Sequence, residues 1–454
     1  MSKDLFGTTG IRGPVATKVT PELALSVGRA AGKYGEEFVI ARDGRETGVA
    51  IAAALEAGLE SAGADVVRAG MLPTPALGFA SDGRHGVMIT ASHNPSPDNG
   101  IKFFVDGEEY TTADEERIEE RVASDAEPAT WDEWGRQTSE EPLDAYLDAV
   151  VAYAREHGNP LDGMTIAVDA GNGVAALGTP EVLRRLGASV HTLHANVTGH
   201  FPGRPSKPTP ENITDLTQYV RERDAVDLGI AHDGDADRIV VVDEDGTIVH
   251  EDTILAVLSS YFVEESDAAD PVVVTTPNVS GRVDEAVRAA GGRVERTALG
   301  LLHEGIADVL DAGDDETTVA FAGEPWKCIH PDMGIWTDGI ASAAVLTRLI
   351  AADGLDSLLE PVTERPLEKK PVDCPEEAKD AAMERLESAL PEQFPDGDVS
   401  LEYGVRIELP DASWFLVRPS GTEPYIRVYA ESDDATALLE EVRETVKEAV
   451  DAVA

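Results

Sequence analysis

Glu37 to Gly70 reads EFVIARDGRETGVAIAAALEAGLESAGADVVRAG. A short apolar strand opens it, and a polar, glycine-containing loop follows. A helical stretch then runs up to Gly63-Ala64, where a second strand begins. The glycine fits the position where a helix stops. The same order returns twice. Met164 to Leu193 reads MTIAVDAGNGVAALGTPEVLRRLGASVHTL, with Gly187-Ala188 as its stop. Pro271 to Leu299 reads PVVVTTPNVSGRVDEAVRAAGGRVERTAL, with Gly291-Gly292. One match is what any βαβ segment gives. Three at comparable spacing predict a repeated α/β unit on largely parallel sheets.

The chain breaks at three places around these copies. Ala123 to Pro142 is polar with little periodicity and closes a first domain, residues 1–142. Leu143 to His157 reads as a helix that opens a second domain, residues 143–246, ending at Asp245-Gly246 after the apolar strand Ile239 to Val242. Glu364 to Pro371, with two prolines and paired lysines, separates a third domain, residues 247–366, from the remainder, residues 367–454. There Val405 to Pro419 predicts a hairpin, Ile426 to Ala430 a strand and Ala435 to Val453 an amphipathic helix. The fold class is α/β: three similar domains and a smaller C-terminal α+β domain.

The 454 residues fit about three domains at roughly 150 residues each. Hydrophobic residues make up 42%, enough for packed cores. Lys plus Arg is 37 against 86 Asp plus Glu, a net charge of −49. That excludes unassisted binding to nucleic acid or to an anionic membrane, since both are polyanions. Only 10 of the basic residues are Lys, and aromatics are 5%. An acid-rich, lysine-poor yet globular chain suits a salt-rich cytoplasm, where ions screen self-repulsion within a few Å. Cys328 and Cys374 are too few for a disulfide framework or a cysteine-rich zinc site. MSKDLFGTTG lacks an apolar targeting core, and no apolar run reaches the about 18 residues of a membrane span. A cytoplasmic location is expected.

Four loops carry candidate chemistry. Thr90 to Lys102, TASHNPSPDNGIK, follows the apolar strand Val87 to Thr90, so Ser92 stands where α/β sheets present reactive groups. A serine hydroxyl needs activation. His93 is adjacent, but neighbours on an extended chain point opposite ways, and no Gly-x-Ser-x-Gly elbow exists. A Ser-His hydrolase is therefore unattractive, and a plain polar turn is the alternative reading. Asp233 to Arg238, DGDADR, alternates three carboxylates able to converge on a hard cation. An EF-hand is rejected, because Arg238 holds the position that needs Gly and a strand follows. Three carboxylates and a divalent cation leave −1, so a phosphoryl group of about −1.5 to −2 needs further positive charge. Arg238 supplies it.

Arg418 to Glu423, RPSGTE, with Arg427 beyond, offers hydroxyls and backbone N–H groups flanked by arginines, a nest for phosphate. A hairpin turn is the competing reading. Gly323 to Lys327, GEPWK, carries Glu324, an acceptor for sugar hydroxyls, although taken alone a simple turn explains it better. Gly7 to Gly13, GTTGIRG, adds Arg12 beside another glycine-rich loop.

Taken together, GTTGIRG, TASHNP with NGIK, DGDADR, GEP and RPSGTEP resemble the α-D-phosphohexomutase superfamily over essentially the whole chain. The chain is most similar to phosphoglucosamine mutases and the archaeal phosphomannomutase/phosphoglucomutase group. The resemblance implies three α/β domains with mixed sheets and a C-terminal TATA-binding-protein-like domain around a central cleft. It implies that Ser92 carries a phosphoryl group. One Mg²⁺ per active site would be held by Asp233, Asp235, Asp237 and the phosphoserine, with Arg238 on the phosphoserine. Arg12 and Lys102 would be candidates for acid/base work, and Glu324 would hold the sugar. Arg418, Ser420, Gly421, Thr422 and Arg427 would bind the phosphate that does not react.

The implied reaction interconverts hexose 6- and 1-phosphates through hexose 1,6-bisphosphate, which also serves as activator. The partner is a small phosphosugar, and the chain is a monomer or homodimer. The family's sugar loop commonly reads Gly-Glu-x-Ser-Gly-His; here Trp326 replaces the small Ser and Lys327 the Gly. Trp326 is placed to stack on a sugar face and Lys327 to add phosphate affinity. NGIKFF favours the glucosamine branch. A phosphomonoesterase using the same serine and metal, and a non-catalytic phosphosugar-binding paralogue, are the competing classes.

Overall fold

A computed structural model of the chain describes residues 5–7, 9–124, 126–420 and 424–453. They form two compact units, Met1–Ile254 with Ala320–Leu358, and Leu255–Val319 with Leu359–Ala454. The strand Thr317–Glu324 runs across the division.

The first unit holds two complete sheets, together with most of Thr317–Glu324 and its antiparallel partner Lys327–Ile329. In one, His85–Ile89, Glu37–Arg42, Asp65–Met71 and Gln137–Ser139 are parallel neighbours. Asp98–Val105 then pairs antiparallel with His85–Ile89, and Ile11–Pro14 pairs antiparallel beyond it. In the other, Leu228–Ala231, Thr165–Asp169 and Ser189–Leu193 are parallel, and Val240–Val242 and Ile248–Val249 continue antiparallel. The parallel runs match the predicted repeats. The antiparallel additions lie after loops that turn the chain back on itself, which is why the sheets are mixed rather than parallel. The polar stretch 123–142 contributes the exposed edge strand Gln137–Ser139.

Repeat helices end where the glycines require. Gly63, Gly187 and Gly291 have φ of 105°, 111° and 96°, a region that L side chains resist. The first core is built from Phe38, Ile40, Val66, Val87 and Ile89 on strands and Ile51, Leu55 and Leu59 on the helix Gly48–Ala62. The helix Leu143–Ala154 stands where periodicity places it. Its Tyr146 hydroxyl donates to Asp338, the residue capping the buried helix Gly339–Asp353.

In the second unit, Asp270–Thr275 and Arg293–Arg296 are parallel around the helix Gly281–Ala289. A five-stranded antiparallel sheet follows in the order Leu367–Asp373, Tyr425–Glu431, Trp414–Pro419, Val405–Glu408, Asp398–Ser400. The predicted hairpin and strand are its centre, and the predicted C-terminal helix is Ala435–Asp451. Leu386 and Leu390 on Lys379–Gln393, with Leu439, Val442 and Val446 on Ala435–Asp451, pack over Val417, Ile426 and Val428. Buried Glu431 accepts from Ser280 Oγ at 2.7 Å, Gly281 N at 3.1 Å and Trp414 Nε1 at 2.6 Å. The chain thus comprises three α/β domains and a C-terminal domain.

Candidate active site

Each of the four chemical loops connects antiparallel strands. The first joins His85–Ile89 to Asp98–Val105, the second Leu228–Ala231 to Val240–Val242, the third Thr317–Glu324 to Lys327–Ile329 and the fourth Trp414–Pro419 to Tyr425–Glu431. The first three lie in the first unit, and each contains a non-glycine residue in the left-handed region: Ser92 (φ 48°), Ala236 (φ 66°) and Trp326 (φ 71°). Such strain persists only where surroundings over-determine it, and it gathers at working sites.

Ser92 is fully buried, and its Oγ donates to Asp233 Oδ2 at 2.7 Å. Its hydroxyl also lies 3.2 Å from His93 Nδ1. This corrects the expectation that the two side chains point apart, because the left-handed turn at Ser92 is not extended. His93 is nonetheless no ready base. Burial, then Arg238, Arg12 and Lys327, push its pKa down to about 2, so the ring stays neutral. Arg12 and Lys102 are brought alongside by register: Ile11–Pro14 pairs with Asp98–Val105, setting Arg12 opposite Gly100. A side chain on Gly100 would meet the Thr90 carbonyl oxygen at 2.3 Å, so only glycine allows this approach. Arg12 Nε and Nη2 are buried with no hydrogen-bond partner among the described residues. Lys102 Nζ lies 2.5 Å from Glu109 Oε1.

The three aspartates are fully buried, and each contributes an oxygen to a group lying within 4.8 Å of one another. The unused oxygens are informative. Oδ1 of Asp233 and of Asp235 and both oxygens of Asp237 have no hydrogen-bond partner among the described residues. Burying these carboxylate oxygens together without hydrogen-bond donors is costly unless positive charge sits among them, and an all-oxygen set suits a hard divalent ion. The trio therefore fits a metal. Thr74 Oγ1 donates to Asp235 Oδ2 at 2.7 Å, and the Lys327 ammonium forms an ion pair with Asp237 Oδ2, with Nζ 3.0 Å away. Arg238 Nε lies 3.7 Å from Asp233 Oδ2 and 3.8 Å from Asp237 Oδ1. Burial, then the Asp237 and Asp235 carboxylates, push Asp233 well above the usual carboxylate range. Burial acts the same way on Asp237, but Lys327, Arg238, Lys102 and Arg12 outweigh it and hold Asp237 below that range.

In the third loop Glu324 and Lys327 are register partners across a two-residue turn. The Trp326 carbonyl accepts from Ile239 N at 2.9 Å, tying this loop to the strand after the aspartates. Arg238 (5.7 Å) and Lys207 (5.8 Å) lie over the Trp326 ring, which also packs against the apolar cluster that includes Ala231, Val240 and Val242.

The fourth loop belongs to the second unit. Arg418 and Arg427 face each other across adjacent strands. Like charges directly opposite are unfavourable unless an anion joins them. Tyr429 and Tyr425 hydroxyls accept from them respectively, and Arg418 Nε is buried with no hydrogen-bond partner among the described residues. Ser420 is buried at the loop's start, and its carbonyl accepts from Lys379 Nζ at 2.6 Å. Gly421 and Thr422 lie outside the described residues.

Models of the four phosphoglucomutase/phosphomannomutase domains match in sequence: alpha/beta/alpha domain I over residues 3–129, domain II over 144–246, domain III over 250–366 and the C-terminal domain over 371–449. The chain belongs to the phosphoglucomutase/phosphomannomutase family. It is 42% identical to a phosphopentomutase of Thermococcus kodakarensis, over 94% of each chain. It is also 42% identical to a protein named "Probable phosphoglucosamine mutase" of Methanopyrus kandleri, over 99% of this chain and 97% of the other. A crystal structure of a phosphoglucomutase/phosphomannomutase family protein of Burkholderia thailandensis superposes with a TM-score of 0.85 at 26% identity, covering 100% of this chain and 98% of that one. The chain is a phosphomutase, an isomerase that moves a phosphoryl group within its substrate.

Several residues that shape this phosphomutase site escape a reading by motif. Arg45 is buried and donates through Nη2 to the Ser92 and Asn94 carbonyls and through Nη1 to those of Pro95 and Asp98, all within 2.9 Å. Its Nε bonds Asp43, which also accepts from Thr90 Oγ1. Burial pushes Asp43 up to about 6 against the pull of Arg45. Arg204 does the same for the aspartate loop, donating to Asp169 Oδ2 at 2.8 Å and to the His232 carbonyl at 2.6 Å. The only sequence signal was position: Arg45 and Asp43 sit in the first repeat's loop, and Asp169 in the second's.

Proposed function

We propose that this phosphomutase is a phosphoglucosamine mutase, converting glucosamine 6-phosphate to glucosamine 1-phosphate, with Ser92 as the phosphoryl carrier and Mg²⁺ as the metal. One observation carries the reading. The Ser92 hydroxyl donates to Asp233, which lies with Asp235 and Asp237 in one buried carboxylate group, and Arg12, Lys102, Arg238 and Lys327 act on that group. A nucleophile beside a cation site and surrounded by positive charge suits phosphoryl transfer, which needs positioning and neutralisation above all.

Asp233, Asp235, Asp237 and an oxygen of phosphorylated Ser92 would hold Mg²⁺, which supplies charge neutralisation when bound. Arg238 and the unpartnered nitrogens of Arg12 grip the phosphoryl oxygens. Lys102, held by Glu109, takes or returns the proton of the attacking sugar hydroxyl. Glu324 accepts from sugar hydroxyls, with Trp326 beside them. Arg418, Ser420, Gly421, Thr422 and Arg427 hold the far phosphate. Ser92 gives its phosphoryl group to the free hydroxyl, the hexose 1,6-bisphosphate turns end for end, and its other phosphate returns to Ser92. A nest that reads only phosphate accepts either end. Hexose 1,6-bisphosphate would thus serve as activator. The acidic, lysine-poor composition supports a salt-rich cytoplasmic setting and assays in concentrated KCl.

The relative named as a phosphopentomutase and the bulk of Trp326 support a second reading, a pentose phosphate substrate; the family's name supports a third, glucose or mannose phosphate. Phosphorus NMR of separate samples of each sugar phosphate, with Mg²⁺ and a trace of hexose 1,6-bisphosphate, distinguishes them. Fastest interconversion of the glucosamine phosphates, with no free phosphate, is the expected result. Release of free phosphate alone would make the protein a phosphatase and sink the proposal.

A further inference from the structure

Lys327 stands where the sequence departs from the family's sugar loop, and the fold gives it an unexpected place. The left-handed turn at Trp326 sends the chain back so that Lys327 pairs with Glu324. Its side chain is 4% exposed, and its Nζ lies 3.0 Å from Asp237 Oδ2 and 3.9 Å from Glu324 Oε1. A buried ammonium must be paired. Here the nearer carboxylate belongs to the aspartate trio and the farther one to the sugar loop, so one side chain joins the two.

Lys327 forms its ion pair with Oδ2 of Asp237, inside a trio whose carboxylate oxygens lie within 4.8 Å of one another. A fixed positive charge next to a cation site competes with the incoming ion for the same carboxylates. It also offsets negative charge that arrives with a phosphoryl group. Arg238 and Lys327 together leave the trio with one net negative charge. A divalent ion and a doubly charged phosphoryl group then cancel each other. Without Lys327 the loaded centre would carry one more negative charge.

We propose that Lys327 is a positioning and charge-balancing residue of the transfer centre: it orients Asp237 through Oδ2, weakens the trio's hold on the divalent ion, and supplies positive charge facing the phosphoryl group. This rests on the reading of the trio as the metal site and of Ser92 as the carrier. The consequence is a split that a merely structural lysine would not give. Metal binding tightens when the charge is removed, while phosphoryl transfer slows.

The test uses the full chain with Mn²⁺ as probe. Electron paramagnetic resonance titration reads the Mn²⁺ affinity of the wild type, Lys327→Met, Lys327→Gln and Lys327→Arg. Rapid quench and intact mass read the loss of the phosphoryl group from Ser92 to glucosamine 6-phosphate. Lys327→Met and Lys327→Gln should bind Mn²⁺ about tenfold more tightly and transfer at least about tenfold more slowly, the scale set by one charge a few Å away. Lys327→Arg should move both values back toward the wild type. Unchanged or weaker Mn²⁺ binding in folded Lys327→Met and Lys327→Gln would overturn the proposal. So would collapse of both variants, judged by circular dichroism, since that assigns Lys327 to the fold. Wild-type Mn²⁺ binding that survives Asp235→Asn would defeat the metal reading itself, and this inference with it.

Discussion

Arg45 shows how a buried charge can build a loop that no motif describes. Its guanidinium holds four carbonyls of the serine loop and is neutralised by Asp43. Arg45→Met would leave those carbonyls and Asp43 buried without their partner, at a cost of about 3–5 kcal/mol. Urea denaturation should show that loss, and turnover should fall with it; a stability change below about 1 kcal/mol would mean that the loop holds itself. Arg418 is a different case, because its opposing neighbour is another arginine. Arg418→Ala should weaken sugar phosphate binding by about 1.5–3 kcal/mol, the worth of a charge-assisted hydrogen bond, with little loss of stability. Unchanged affinity by calorimetry would place the phosphate elsewhere.

At the scale of elements, the repeats were legible because strand, loop, helix and glycine stop recur in order, each following from local chemistry. Gly63→Ala tests this directly. An L side chain at φ 105°, 3.2 Å from the Glu133 carbonyl oxygen, should cost about 1–2 kcal/mol in denaturation. A neutral or stabilising result would show that the turn relaxes freely. The candidate site was legible where its residues are contiguous in sequence: Ser92, the aspartate trio, Arg418 and Arg427. It was not legible where tertiary packing decides. The neighbourhood of Ser92 and His93 depends on a left-handed residue that an extended-chain rule cannot foresee. Lys327 reaches Asp237 only because a left-handed Trp326 turns the hairpin. Arg45 and Arg204 act on carbonyls, which carry no sequence signature.

Across the whole molecule, buried histidines couple the fold to pH. His330 sits between Tyr153 and Ser342, and burial, then His157, pushes it down to about 3 from an ordinary 6.5. The unfolded chain therefore takes up its proton first as pH falls. Stability contributed by neutral His330 is complete above pH about 6.5 and is lost toward pH about 3, at up to about 1.4 kcal/mol per pH unit. His330→Gln removes this dependence, so its stability relative to the wild type should improve steadily from pH 7 to pH 4. A constant difference across that range would mean that His330 does not titrate on unfolding.

The proposed transfer turns on Ser92. The most direct measurement is the intact mass of the full chain after exposure to hexose 1,6-bisphosphate and Mg²⁺, followed by peptide mapping, for the wild type and Ser92→Ala. One stable phosphoryl group on Ser92, absent from Ser92→Ala and discharged by added sugar monophosphate, is the expected result. A wild type that never acquires it while still interconverting sugar phosphates would contradict the assignment of Ser92 as the carrier.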